Sequence, residues 1–252
     1  MIVNDYDKFA QIRQKKILKG ENKAHRFVEK PMMRSMMPNL RNKKVLMLGC
    51  GTGDESIILK KFGARDIVGI DLSKKSIEIA KKTYKDVTFM AADMHNLPFE
   101  SNVFDFVYSS LAIHYSAEPQ KVYKEIYRVL KKNGELLFSV AHPMRWSVTE
   151  VNIDNKNTRV IGYVNSEQSN KIFGNYNTFL KHDHYFPDGE VLSLYSGSPS
   201  MHFKLLKKSG FEVEDFSESK CIEEEKKIDL NYYAKYSEIP QFMAFLAKKK
   251  AG

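Results

Sequence analysis

The chain predicts an α/β fold built on a mostly parallel sheet, and three observations carry that expectation. From Lys44 to about residue 143, short β-rich runs alternate with helical patterns, as parallel strands joined by crossover helices require. A glycine-rich turn, Gly49-Cys50-Gly51-Thr52-Gly53, follows the first strand directly and opens onto a helix. Acidic residues, Asp71 and Asp93, then stand where the second and third strands end.

Each element has its own local reason. Residues 44–48 form the first strand, in which Val45 to Leu48 run uninterruptedly apolar after Lys43 and Lys44, the pattern of a strand covered on both faces. Residues 55–62 carry the helix after the turn, and residues 67–70 the second strand. Ser73 is placed to cap a helix whose Ile77, Ala80 and Tyr84 share one face. Residues 87–90 and 104–108 give the third and fourth strands. Val122, Ile126, Val129 and Leu130 mark an amphipathic helix that the sequence closes at Lys131-Lys132-Asn133-Gly134, with residues 135–140 as the fifth strand. The alternation then lapses over an aromatic, Asn-rich stretch ending near residue 197. It resumes at Ser198-Pro199, which opens a helix ending at Gly210, followed by strands at 211–216 and 242–247. Two further helical patterns precede the sheet, the second holding Met32-Met33-Arg34-Ser35-Met36-Met37.

Composition narrows the function. An apolar fraction of 42% predicts a real core. No apolar run approaches the roughly 20 residues that a membrane span needs, and residues 1–20 have no signal-peptide core, so the expectation is a cytoplasmic protein without membrane contact. Cys50 and Cys221 are far apart and lack metal-ligand spacing; no metal or disulfide is expected. The net charge of +9 raises nucleic acid as a partner, but the lysines are dispersed in pairs rather than gathered in one groove.

The turn discriminates between ligands. A dinucleotide fingerprint wants a third glycine at position 54, with the helix start open to a pyrophosphate. Here Asp54 and Glu55 occupy that place, which disfavours phosphate and favours an uncharged or cationic adenosine compound. Asp71 is placed to accept from ribose hydroxyls. Asp93 and Met94 offer an acceptor for an adenine amino group and an apolar neighbour for its ring, and Ser109 to Leu111 end the fourth strand where the reactive end of the ligand belongs.

These segments, from Val45 through Gly53, Gly69 through Ser73, Ala92 through Phe99 and Phe104 through Val107, resemble the class I S-adenosylmethionine-dependent methyltransferases, in the small-molecule, methyltransferase type 11-like branch. The resemblance spans roughly residues 43–140. It implies a Rossmann-like, seven-stranded sheet with an antiparallel last strand and helices on both faces. It implies S-adenosyl-L-methionine as cofactor and S-adenosyl-L-homocysteine as product, held by Gly49, Cys50, Gly51, Gly53, Asp71, Leu72, Asp93, Met94, Ser109 and Leu111. Met47 stands where many members carry Asp, and Asp54 is the nearest acid to take over as anchor for the ligand's amino group.

For the acceptor, His114 is the candidate catalytic group, either orienting or deprotonating an acceptor or simply packing beside the ligand. Arg34, His142, Trp146 and Tyr185 are candidate substrate contacts. The pair His182 and His184 reads as surface rather than metal ligands. The aromatic residues Trp146, Tyr163, Phe173, Tyr176, Phe179, Tyr185 and Phe186 form either a lid or a small core of their own. The expected organisation is one domain, with a helical cap at 1–42, a cofactor-binding core at 43–142, a substrate lid at 143–197 and a closing helix and strand hairpin at 198–252. The leading reading is methyl transfer to an O, N or C atom of a small molecule by a monomer or homodimer. RNA or protein methylation and non-enzymatic binding of S-adenosylmethionine stand as alternatives.

Overall fold

The computed structural model describes residues 22–165, 170–185 and 191–250, excluding the side chains of His184 and Tyr185. Its centre is a seven-stranded sheet. The strands are β1 (Lys44–Leu48), β2 (Asp66–Asp71), β3 (Thr88–Ala91), β4 (Phe104–Ser110), β5 (Leu130–Ala141), β12 (Phe211–Glu218) and β13 (Phe242–Lys249). They run in the order β12-β13-β5-β4-β1-β2-β3. β1 pairs in parallel with both β2 and β4, so the chain reverses its direction of travel across the sheet at this strand. That reversal opens a crevice beyond the carboxyl end of β1. β13 is antiparallel to both of its neighbours, as the resemblance implies.

The period-two geometry of β1 divides the core. Val45 and Met47 face one layer, with Met32, Met33, Phe106 and Tyr108. Leu46 and Leu48 face the other, with Val107, Val122, Ile126 and Leu206. Burial on both faces explains why these strands read as continuous apolar runs. Around the sheet stand α1 (Lys30–Ser35), α2 (Ser56–Lys61), α3 (Lys74–Thr83), α4 (Pro119–Val129) and α6 (Pro199–Lys208), with α5 (Pro143–Trp146) just after β5. The predicted caps form: Ser73 Oγ accepts from Ser76 N at 3.0 Å and Ser198 Oγ from Met201 N at 3.3 Å.

Three boundaries differ from the sequence expectation. α4 ends at Val129, and β5 begins at Leu130, because Leu130 pairs with Phe104 before the strand bulges. Asn133 still takes the left-handed turn that its type favours, at φ 61°. The segment after β5 contains three two-stranded hairpins: β6 (Thr149–Ile153) with β7 (Lys156–Val160), β8 (Gly162–Val164) with β9 (Lys171–Phe173), and β10 (Leu180–Tyr185) with β11 (Val191–Ser196). Between β12 and β13 lie two short helices, α7 (Glu223–Lys226) and α8 (Leu230–Glu238), where the sequence analysis placed none. The first N-terminal helical pattern lies outside the described residues; the second forms a single π-helical turn, His25–Glu29, running into α1. No described helix is long and apolar enough to cross a membrane.

Candidate cofactor site

The crevice beyond β1 contains a cavity of about 360 Å³. Gly49 and Gly51 form its floor, both with positive φ, at 66° and 53°. A side chain at Gly49 would also meet Ala112, whose Cβ would lie 2.2 Å from the added carbon. Only glycine allows the turn to lie this close to the loop after β4.

Asp71 ends β2 and braces that floor. Its Oδ2 accepts from Gly51 N at 2.8 Å and its Oδ1 from Ser73 N at 2.9 Å, which fixes the carboxylate at the cavity wall. Across the cavity, Asp93 accepts from the His95 backbone at 2.9 Å and from its ring Nδ1 at 2.7 Å. Burial acts to raise the Asp93 carboxyl. The bonds from His95 together outweigh it and hold the group below the ordinary carboxylate range. The other His95 nitrogen meets Ser116 Oγ at 2.7 Å, so the ring ties the loop after β3 to the loop after β4.

Leu72, Met94 and Leu111 complete the predicted part of the wall. Leu111 takes a left-handed conformation, φ 48°, and its amide is donated to Ser139 Oγ at 3.1 Å. Cys50, Gly53 and Ser109 are not on the wall. Cys50 is buried beside the turn, Gly53 serves the turn itself at φ 87°, and Ser109 Oγ donates to Leu48 O at 3.2 Å. Asp54 is not on the wall either: its carboxylate accepts from Thr52 Oγ1 at 2.6 Å and Tyr84 OH at 3.1 Å. That geometry corrects the expectation that Asp54 anchors a ligand's amino group.

The acceptor candidates are dispersed. His114 is buried; its Nδ1 accepts from Ala141 N at 3.2 Å and its ring lies against Tyr115, with 4.5 Å between centroids. His142 caps α5 through Nδ1, which accepts from Met144 N, while Nε2 donates to Glu218 at 2.9 Å. Burial pushes the His142 imidazole down against the opposing pull of Glu218. Trp146 packs on His182 at 5.4 Å, and Arg34 is exposed on α1. The side chain of Tyr185 and all of Phe186 lie outside the described residues. From the three hairpins, Tyr195 on β11 reaches the cavity wall, stacked on Phe179 at 5.4 Å. Sequence reasoning missed Tyr195, and also His95, Tyr115 and Glu118 on the same wall, while Thr52 belongs to the turn it named. His95 had a signal, since it lies two residues after the strand-end Asp93.

The charge of the wall decides what it receives. Asp71, Asp93 and Glu118 line the cavity, and among the described residues no lysine or arginine does. Such a wall repels phosphate and suits a cation.

Fold, switch-point crevice, glycine turn and strand-end acids together define a class I methyltransferase architecture. Residues 46–138 match the family described as a methyltransferase domain. Among curated relatives, demethylmenaquinone methyltransferase of Thermotoga maritima is 40% identical over 96 residues, covering 38% of this chain and 42% of that protein. Malonyl-[acyl-carrier protein] O-methyltransferase of Legionella pneumophila is 32% identical over 144 residues, covering 56% and 47%. Each alignment therefore spans less than half of the relative's own length. A Listeria monocytogenes crystal structure assigned to the S-adenosylmethionine-dependent methyltransferases superimposes with a TM-score of 0.71 at 26% identity, covering 88% of this chain and 97% of that one. Residues 46–138 carry a methyltransferase domain, and the chain as a whole is similar in fold to the class I S-adenosylmethionine-dependent methyltransferases, whose cofactor is S-adenosylmethionine. The residues present fit that cofactor: carboxylates on both nucleoside walls, a turn without room for side chains, and no phosphate-binding cation.

Proposed function

We propose that the protein transfers the methyl group of S-adenosylmethionine to an oxygen, nitrogen or carbon atom of a small-molecule acceptor. The observation that carries this reading is the acidic wall built on the Gly49–Gly51 floor, to which no lysine or arginine among the described residues contributes. When bound, the cofactor supplies an activated methyl on a sulfonium, so the protein's task is alignment and exclusion of water. In this reading Asp71 accepts from the ribose hydroxyls while holding the Gly51 amide. Asp93 and Met94 receive the adenine, with His95 keeping the Asp93 carboxylate charged and oriented. Gly49, Gly51 and Leu111 border the methionine part.

The acceptor enters beside Tyr115 and Tyr195, which stand on the wall next to the loop after β4. The segment 143–197 acts as the lid, and Tyr195 is its contact with the site. His114, with Nδ1 engaged by the Ala141 amide, positions Tyr115 rather than removing a proton through that nitrogen. The two relatives' names specify a quinone-related and an acyl-carrier acceptor, which supports a small-molecule or carrier-bound acceptor class here.

The test is incubation with methyl-labelled S-adenosylmethionine and a fractionated cell extract, read by mass spectrometry. Label in one or a few small molecules is the expected result. Label confined to RNA or to protein side chains would overturn this acceptor class.

A further inference from the structure

Glu29, the last residue of the π-helical turn, is fully buried at the carboxyl ends of β4 and β5. Its Oε1 accepts from Ser110 Oγ at 2.9 Å and from Ser139 Oγ at 2.6 Å. Its Oε2 has no hydrogen-bond partner among the described residues; His25 Nδ1 faces it at 3.5 Å, an ion pair when that imidazole is protonated. A buried carboxylate with an unsatisfied oxygen is costly, and such costs are retained where a ligand relieves them. π-Helical turns, rare in proteins, also gather at functional sites.

The neighbouring acid does not share this condition. Glu55 accepts from Tyr108 OH at 3.2 Å and pairs with Lys30 at 3.1 Å. Glu29 has no lysine or arginine paired with it among the described residues, only His25, which carries charge when protonated. Its bonded partner Ser139 also accepts the Leu111 amide, so one side chain separates Glu29 from the cavity wall. Met47, the β1 residue on this face of the sheet, is apolar and buried, and Asp54 is engaged elsewhere. Of these acids, only Glu29 offers an unsatisfied oxygen behind the Leu111 stretch of wall, where the cofactor's amino acid end belongs.

We propose that Glu29 is the binding residue for the α-ammonium group of S-adenosylmethionine, a placement that rests on the cofactor reading above. The N-terminal helical turn thus contributes a charged anchor that the strand ends lack. Burial pushes the Glu29 carboxyl up to about 7, with the nearby Glu55 adding to the rise. The bonds from Ser139 and Ser110 and the charge of Lys30 oppose it. His25 faces the same carboxyl, and Tyr108 and Arg34 lie in the same electrostatic neighbourhood. An arriving ammonium drives Glu29 to ionise, so binding near pH 6.5 releases a proton.

Calorimetric titration with S-adenosylhomocysteine and with 5′-methylthioadenosine, which shares the nucleoside but has no ammonium, separates the outcomes. Glu29→Gln keeps the shape and the acceptor for both serines. It is expected to weaken S-adenosylhomocysteine at least tenfold and methylthioadenosine less than twofold. Equal loss of both ligands, or loss of neither, overturns the proposal. A second measurement uses the wild-type protein alone: at pH 6.5, in buffers of different ionisation enthalpy, the first ligand should release a proton and the second none. Equal proton release for both contradicts the assignment even if the variant fails to fold. Binding of neither ligand to the wild-type protein overturns the cofactor reading itself, a result distinct from all of these.

Discussion

His202 of α6 and Tyr123 of α4 meet inside the layer between those helices and the sheet, with Tyr123 OH 2.7 Å from His202 Nδ1. Burial pushes the imidazole down to about 4. A histidine depressed in the fold stays neutral while the unfolded chain takes up a proton, so its contribution is complete above pH 6.5 and is lost as pH falls toward 4. Relative to a His202→Gln variant, the wild-type protein should lose about 2–3 kcal/mol of stability between pH 7 and pH 4.5, measured by denaturant unfolding. Equal pH dependence of the two proteins would contradict this origin. At this same scale, the site was legible where spacing carried it. Asp71 and Asp93 stood out because a strand end after a glycine turn is a ligand position. Glu29 did not, because an acid between Val28 and Lys30 reads as an ordinary solvated helix position. Its burial depends on serines 81 and 110 residues away.

The elements of the sheet were legible for the reason that they bury both faces: residues 45–48 of β1 and 242–247 of β13 are continuously apolar, and β4 is interrupted before its terminal serines only by Asp105. The hairpins after β5 were not, since β6 and β8 are largely exposed and show no strong alternation. A local signal among the described residues was the turn Asp154-Asn155, whose two positive φ angles, 52° and 60°, are the hairpin geometry these residue types tolerate. α7 and α8 have no fully apolar face to announce them; no residue of α8 is buried. The last strand carries its own fastening. Lys249 at the end of β13 donates to Tyr127 O at 2.8 Å, Leu130 O at 2.6 Å and Asn102 Oδ1 at 2.9 Å, closing the junction of α4 and β5. Lys249→Met keeps the stem and removes the donors, and should cost about 1–3 kcal/mol in denaturant unfolding. A neutral result would mean that water replaces the ammonium at no cost. Gly69 of β2 presses on Phe89 and Cys50, with 2.6 Å from an added Cβ to the Phe89 ring. Gly69→Ala should lower stability by about 1–3 kcal/mol through overpacking.

Over the whole molecule, charge is arranged in two ways that the net value of +9 hides. The surface is basic and dispersed, with lysines paired to acids such as Glu135, Asp105, and Glu225 with Asp229. The cavity is acidic, and the buried Glu29 and half-buried Glu55 extend that character beneath the N-terminal turn. The sequence total pointed toward nucleic acid; the distribution points a cationic nucleoside into the switch-point crevice. In the function proposed above, this crevice binds S-adenosylmethionine through Asp71. Calorimetric titration of S-adenosylhomocysteine, with NAD as the rival ligand, tests it most directly. One molecule of S-adenosylhomocysteine bound per chain, no binding of NAD, and a dissociation constant raised about 100-fold or more in a folded Asp71→Ala variant is the result expected from losing charge-assisted bonds to the ribose. Binding of NAD in its place, or S-adenosylhomocysteine binding indifferent to Asp71, would contradict it.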